Sequence, residues 1–172
     1  SEAVVRRLQA GERVAYVSDA GTPGVSDPGA KLVALTQAAG LRVMPIPGAS
    51  SVTTLISAMG IDASAEHFEM QGFTFAGFLP SKGQARAAAL AALAQSPRAV
   101  IVLEAPHRLM ALAKELAPWG ARAITVGREL TKQFETIATS TCEAFSSWLA
   151  ADDNRLRGEY VLGIHPLPLA NA

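Results

Sequence analysis

Short apolar runs alternating with helix-like runs constrain this chain more than any other feature of it. The strand-like runs are RVAYV (13–17), LRVMP (41–45), FTFAGF (73–78), RAVIVLE (98–104), RAITVGR (122–128), FETIA (134–138) and EYVLGIH (159–165). Helix-like runs fall between them at 28–39, 49–59, 82–96, 106–118 and 141–151, and SEAVVRRLQAG opens the chain as a helix closed by Gly11. Such alternation predicts an α/β fold with mainly parallel pairing in at least its first part. In the helix at 28–39, Asp27 is suited to cap the free N–H groups, Pro28 to the first helical position and Gly40 to the exit. The polar, aperiodic stretch GIDASAEHFEMQG (60–72) marks a domain boundary. An α/β domain that begins on a helix lacks a preceding strand and loop, so the sequence is expected to be a piece of a longer chain.

Composition limits the function classes. With 49% hydrophobic and 17% charged residues, the 172 residues can bury a substantial core. Lys plus Arg and Asp plus Glu are 15 each, so any polyanion must dock on a local patch rather than on a uniformly basic surface. The single Cys142 excludes an internal disulfide and a multi-cysteine metal site, which suits a reducing, cytoplasmic setting. No run approaches the ~18 apolar residues of a membrane span, and no signal peptide opens the sequence. His67, His107 and His165 form no metal-ligand pair, so no metal is expected.

Two loops are placed to bind a ligand. SDAGTPGVSDPG (18–29) follows the run at 13–17 and is longer than the roughly two to six residues of an ordinary strand-to-helix turn. PIPGASS follows the run at 41–45. In open α/β sheets, ligands bind beyond the carboxyl ends of the strands. Glycines admit a ligand close to the main chain, and prolines stiffen the loop beforehand. Asp19 can accept hydrogen bonds from ribose hydroxyls or an ammonium group. Ser50 and Ser51 open a helix whose free N–H groups favour a carboxylate. Turn capping by Asp19 and Ser50 is the competing reading. Neither loop matches G-x-G-x-x-G, neither PSKGQ nor ELTKQ is a P-loop, and no G-x-S-x-G is present.

Charged clusters close two later strands: LEAPHR brings Glu104, His107 and Arg108 together, and GRELTKQFE supplies Arg128, Glu129, Lys132 and Glu135. Two such rims at successive strand ends suggest a cleft. Lys82, Arg86, Arg155 and Arg157 read as surface charges, His165 as structural or tail-exposed, and Cys142 as a small buried hydrophobe.

The motifs VSDAGTPGVSDPG, PIPGASSVTTLISAMG, FAGFLPSKG, EAPHRL, GRELTKQFET and RGEYVLGI stand in this order. Together they resemble the ribosomal RNA small subunit methyltransferase I family of the tetrapyrrole methylase superfamily, across nearly the whole chain. The resemblance implies two α/β domains, here 1–66 and 67–172, with a parallel sheet in the truncated first and a mixed sheet in the second. It implies transfer of a methyl group from S-adenosyl-L-methionine (SAM), held in the cleft between domains, to the ribose 2′-hydroxyl of a cytidine in the decoding region of small-subunit rRNA, by a homodimer. Carried over by position, Asp19, Ala20, Gly21, Thr22, Ser50 and Ser51 line the SAM pocket, with Glu104 a weaker transfer. Family members begin with a further strand and glycine-containing loop not represented here, which bears on whether this chain is active. Assistance to a poorly nucleophilic hydroxyl falls to Glu104, His107, Glu129 or Lys132, among which the residues do not choose. Arg108, Arg128 and Lys132 are the RNA-docking candidates. A tetrapyrrole methylase acting on a small molecule, and an inactive SAM- or RNA-binding fragment, are the alternatives.

Overall fold

The computed structural model describes residues 1–19, 21–26, 28–61 and 72–167. The chain divides into two compact units, Ser1–Ser50 and Ser51–Ala172. The first contains α1 (Glu2–Gln9) and α2 (Ala30–Ala38). The second contains α3 (Ser51–Ala58), β1 (Phe73–Phe78), α4 (Gly83–Ala94), β2 (Ala99–Glu104), α5 (Leu109–Leu116), β3 (Ala123–Arg128), β4 (Thr136–Thr141), α6 (Phe145–Ala150) and β5 (Tyr160–Ile164).

In the first unit, α1 carries Glu2 in its first turn and Arg6 and Arg7 in its last, the arrangement favoured by the helix dipole. It ends at Gly11, which adopts φ +88°. Helix α2 begins two residues later than Pro28 predicts. Gly29 stands at its N-cap with φ +137°, and the Tyr16 ring lies 2.9 Å from where a Cβ would sit, so only glycine fits there. The expected Asp27 cap lies outside the described residues. Gly40 ends the helix as expected, its N–H donating to the Gln37 carbonyl. The runs 13–17 and 41–45, expected as parallel strands, form no strand. Their apolar side chains have no packed face to stand on: Val17 is 79% exposed, Met44 65% and Tyr16 46%. Parallel pairing holds where both faces are covered, and that condition is not met here.

The second unit is built on one five-stranded sheet of order β1-β2-β5-β3-β4. Only β1 and β2 pair in parallel; β2–β5, β5–β3 and β3–β4 are antiparallel, so the sheet is mixed. Side-chain alternation sends Val100, Val102, Ile124, Val126, Leu162 and Ile164 to one face, under α4, α5 and α6. Ile101 and Val161 face the other way and pack against Val52, Leu55 and Met59 of α3 and its C-terminal turn. Two glycines permit that approach. A Cβ at Gly127 would lie 3.0 Å from Leu55, and one at Gly163 would collide with the Met59 thioether. Helix α3 therefore sits almost on the sheet backbone.

Arg122 completes the frame. It is buried and donates to the carbonyls of Leu93, Ala94 and Ser96 at the end of α4 and to that of His165. Carbonyls at the end of a helix lack intrahelical donors, and Arg122 supplies them here. Cys142 is fully buried, and burial pushes its thiol up to about 11.

Candidate functional site

In the first unit the two glycine- and proline-rich loops lie side by side. The Thr22 hydroxyl donates to the Ala49 carbonyl at 2.8 Å, joining segments 27 residues apart. Gly21 and Gly24 adopt φ +69° and +82°, turning the main chain without side chains in the way. Asp19 is exposed at the loop's start. Ser50 closes the second loop and Ser51 begins α3. Ala20 lies outside the described residues. Within this unit, open main chain and one exposed carboxylate suit a small ligand carrying hydroxyls and an ammonium group. The residues therefore fit SAM.

In the second unit a buried ionic cluster joins FLPSKG to EAPHRL. Glu104 ends β2 with its side chain fully buried. Its Oε1 accepts from the Ala105 N–H at 3.0 Å and pairs with Arg108 Nε at 3.1 Å, and its Oε2 lies 3.4 Å from Arg86 Nη2. Arg86 also forks onto Glu115, with Nε 2.9 Å and Nη2 2.6 Å from its carboxylate. That hydrogen bond and the neighbouring carboxylates hold the Arg86 guanidinium above its ordinary pKa, against the effect of burial. Arg86 and Arg108 both donate to the Pro80 carbonyl, pinning the turn before α4. Beside them opens a cavity of about 470 Å³, lined by Ser81, Lys82, Leu90 and Glu115 among others.

Arg86 is thus no surface charge, as the sequence suggests, but the 6%-exposed centre of the cluster. The available signal was its position as the lone cation of GQARAAALAALA, where an isolated charge among small apolar residues needs a partner. Glu115 carried no such signal. Arg155, also expected on the surface, lies over the Trp148 ring at 4.3 Å and donates to that residue's carbonyl. Of the LEAPHR residues, Glu104 and Arg108 are joined, whereas His107 is exposed.

A second polar cluster joins GRELTKQFE to RGEY. Glu129 and Thr131 adopt φ +49° and +66°, a costly region for non-glycine residues and more so for a β-branched one. Glu129 Oε1 accepts from the Glu159 N–H at 2.6 Å, and Lys132 Nζ bridges Glu129 and Glu159 at 3.2 and 3.0 Å. The Glu159 N–H is the main reason the Glu129 carboxyl is held below its ordinary pKa. Lys132, hydrogen-bonded to Glu159 and Glu129, is held above its own. Arg128 donates to the carbonyls of Arg157 and Phe134, and Glu135 takes the Thr131 N–H at 2.5 Å. Gly158 makes room for this: a Cβ there would stand 2.7 Å from Glu129 Cγ.

The profile of the Tetrapyrrole (Corrin/Porphyrin) Methylases matches residues 1–145. This chain belongs to the tetrapyrrole methylase family. Among curated proteins, it is 42% identical over 160 residues to the ribosomal RNA small subunit methyltransferase I of Pseudomonas aeruginosa, covering 92% of this chain and 54% of that protein. To the protein of the same name from Xylella fastidiosa it is 43% identical over 164 residues, covering 94% and 58%. The chain therefore spans somewhat more than half the length of the curated relatives it matches. Solved methylase structures share the fold. The methyltransferase CobJ superposes with TM-score 0.69 at 17% identity, over 99% of this chain and 72% of its own. Uroporphyrin-III C-methyl transferase from Thermus thermophilus, solved with S-adenyl homocysteine, gives 0.59 at 18%, over 95% and 72%.

Among the described residues, no helix is long and apolar enough to cross a membrane, and no three metal-ligating side chains cluster.

Proposed function

We propose that this chain is part of a SAM-dependent methyltransferase that modifies small-subunit rRNA, at the ribose 2′-hydroxyl of a cytidine in the decoding region, working in the cytoplasm as a homodimer on rRNA or the assembled subunit. The observation carrying the reading is the Thr22–Ala49 bond, which sets side by side the two loops bearing the family's motifs. Support for RNA over a small-molecule acceptor comes from similarity. The chain is about 40% identical to relatives named for small-subunit rRNA, but only 16–18% identical to corrin and porphyrin methylases such as CbiF and uroporphyrin-III C-methyl transferase.

SAM, when bound, supplies a methyl group on an electrophilic sulfonium. Asp19 would accept hydrogen bonds from its ribose hydroxyls or ammonium group, the main chain around Gly21 and Thr22 would lie against the nucleoside, and the hydroxyl of Ser50, at the end of the second loop, would donate to its carboxylate. The acceptor hydroxyl needs a partner for its proton. Glu104 is enclosed between two arginines, and Glu129 and Lys132 neutralise each other. His107 is exposed, and we assign it this role.

The test is SAM calorimetry together with methyl transfer to purified small subunits, made on the whole protein. Asp19→Ala should weaken SAM binding by about ten- to a hundredfold, the worth of one hydrogen bond to a charged group. His107→Gln should leave SAM affinity intact and lower transfer. An unchanged SAM affinity in Asp19→Ala would return that residue to turn capping, and methylation of a porphyrin but not the subunit would sink the rRNA reading.

A further inference from the structure

The loop between β3 and β4 holds two residues in left-handed backbone and engages nearly every charged side chain it carries, yet one large apolar side chain stands out of it. Phe134 is 69% exposed while its own carbonyl is held by Arg128 at 3.2 Å. The backbone is therefore fixed and the ring is presented to solvent. Beside it lies a pocket of about 540 Å³, lined by Arg128, Gln133, Phe134, Glu135, Thr136 and Asn154.

The charged side chains around this pocket are held in place by bonds within the protein. Arg128 serves the Arg157 and Phe134 carbonyls, Lys132 sits between Glu129 and Glu159, and Glu135 takes the Thr131 N–H. Beside the fixed Arg128 guanidinium and Glu135 carboxylate, the pocket offers a ligand an aromatic face and the two side-chain amides of Gln133 and Asn154, each both donor and acceptor. That combination suits a planar, hydrogen-bonding molecule. Resting on the rRNA reading above, we propose that this pocket receives one unstacked base of the RNA, its ring on Phe134 and its edge facing Gln133 and Asn154. Single-stranded RNA is commonly held in this way, by bases stacked on exposed aromatic rings and hydrogen-bonded at their edges.

The backbone strain then has a use. Left-handed Glu129 and Thr131, locked by the Glu129–Glu159 and Thr131–Glu135 bonds, set the ring in place before RNA arrives. Phe134 contributes nothing to the buried core, so its truncation leaves the fold intact.

The experiment measures binding of a labelled single-stranded oligocytidylate, and of the same strand in a duplex, to wild type, Phe134→Ala, Phe134→Leu and Phe134→Tyr across a salt series, with sedimentation of each variant. Stacking predicts that Phe134→Ala and Phe134→Leu weaken single-strand binding by about five- to a hundredfold, and that Phe134→Tyr stays close to wild type. The salt slope should stay unchanged, because no phosphate contact is lost. Equal binding by wild type and Phe134→Ala would overturn the base pocket alone. So would rescue by leucine, a changed salt slope, or a change in sedimenting mass, the last pointing to a second copy of the chain on this face. Wild type that takes up SAM and binds neither RNA would instead overturn the rRNA reading, and the pocket with it.

Discussion

Arg86 carries more of the second unit's integrity than its place in an alanine-rich helix suggests. Replacing it by leucine leaves the buried Glu104 with Arg108 alone and Glu115 without its forked partner. Breaking a buried pair from one side costs about 3–5 kcal/mol, since the stranded carboxylate stays out of water. Urea unfolding should show that loss for Arg86→Leu, and Lys82→Ala, on the exposed side of the same turn, should stay within about 0.5 kcal/mol. A loss no larger than that of Lys82→Ala would mean the cluster opens to solvent. His165 makes a different residue-scale prediction. Its ring nitrogen lies 2.7 Å from the Thr125 hydroxyl, and burial, with Arg122 nearby, holds its pKa below the ordinary 6.5. Protonation is then easier in the unfolded chain. This contribution to stability is complete above 6.5 and is lost as the pH falls towards the lower folded value. Glu129, held below 4.5, adds a second loss of the same sign at more acid pH. Melting temperatures of wild type and His165→Gln should therefore converge as the pH drops from about 8 to about 5; parallel curves would mean that His165 titrates alike folded and unfolded.

At the scale of elements, the least forgiving contact is α3 against the sheet. Gly163→Ala drives a methyl into Met59, and Gly127→Ala drives one against Leu55 and Val161. Overpacking of this kind costs about 1–3 kcal/mol, and the Gly163 variant should be the worse of the two by thermal melt. Met59→Ala introduced with Gly163→Ala should recover part of the loss; no recovery would place the cost in the strand backbone instead. These contacts show where sequence reading stops. Each strand of the second unit was legible because alternation and β-branched content are local, and β4 alone was displaced, to Thr136–Thr141 from 134–138. The sheet order was not legible. Nothing local says that β5, last in the chain, lies between β2 and β3, and with it the glycines at 127 and 163 acquire a purpose no motif announces. The loops 18–29 and 45–50 stood out by composition, but the Thr22–Ala49 bond that joins them did not, because a threonine in a turn has many nearer carbonyls to choose from. Arg86 was missed because burial of a charge is set by its partners, and Glu115 lies 29 residues away.

At the scale of the whole molecule, the two units differ in how much apolar surface each hides. Among the described residues, every fully buried apolar side chain lies in the second, around β2, β3 and β5. In the first, Thr36 alone among the described residues is buried, while Val14, Tyr16, Val17, Val43, Met44 and Ile46 remain exposed. Apolar burial is the main favourable term against chain entropy, so the units should open with very different free energies. Hydrogen exchange on these residues should show amides of 13–17 and 41–45 exchanging early, and those of Ala99–Glu104 and Tyr160–Ile164 only near global unfolding. Added SAM, if the proposed pocket holds it, should slow exchange in 18–29 and 45–50 and leave β2 and β5 unchanged. That second step separates a weakly folded unit from one unable to bind. Protection of 13–17 equal to that of β2 without any ligand would mean that the two apolar runs pair as strands in solution, as their sequence suggests, and the low stability argued for the first unit would be wrong.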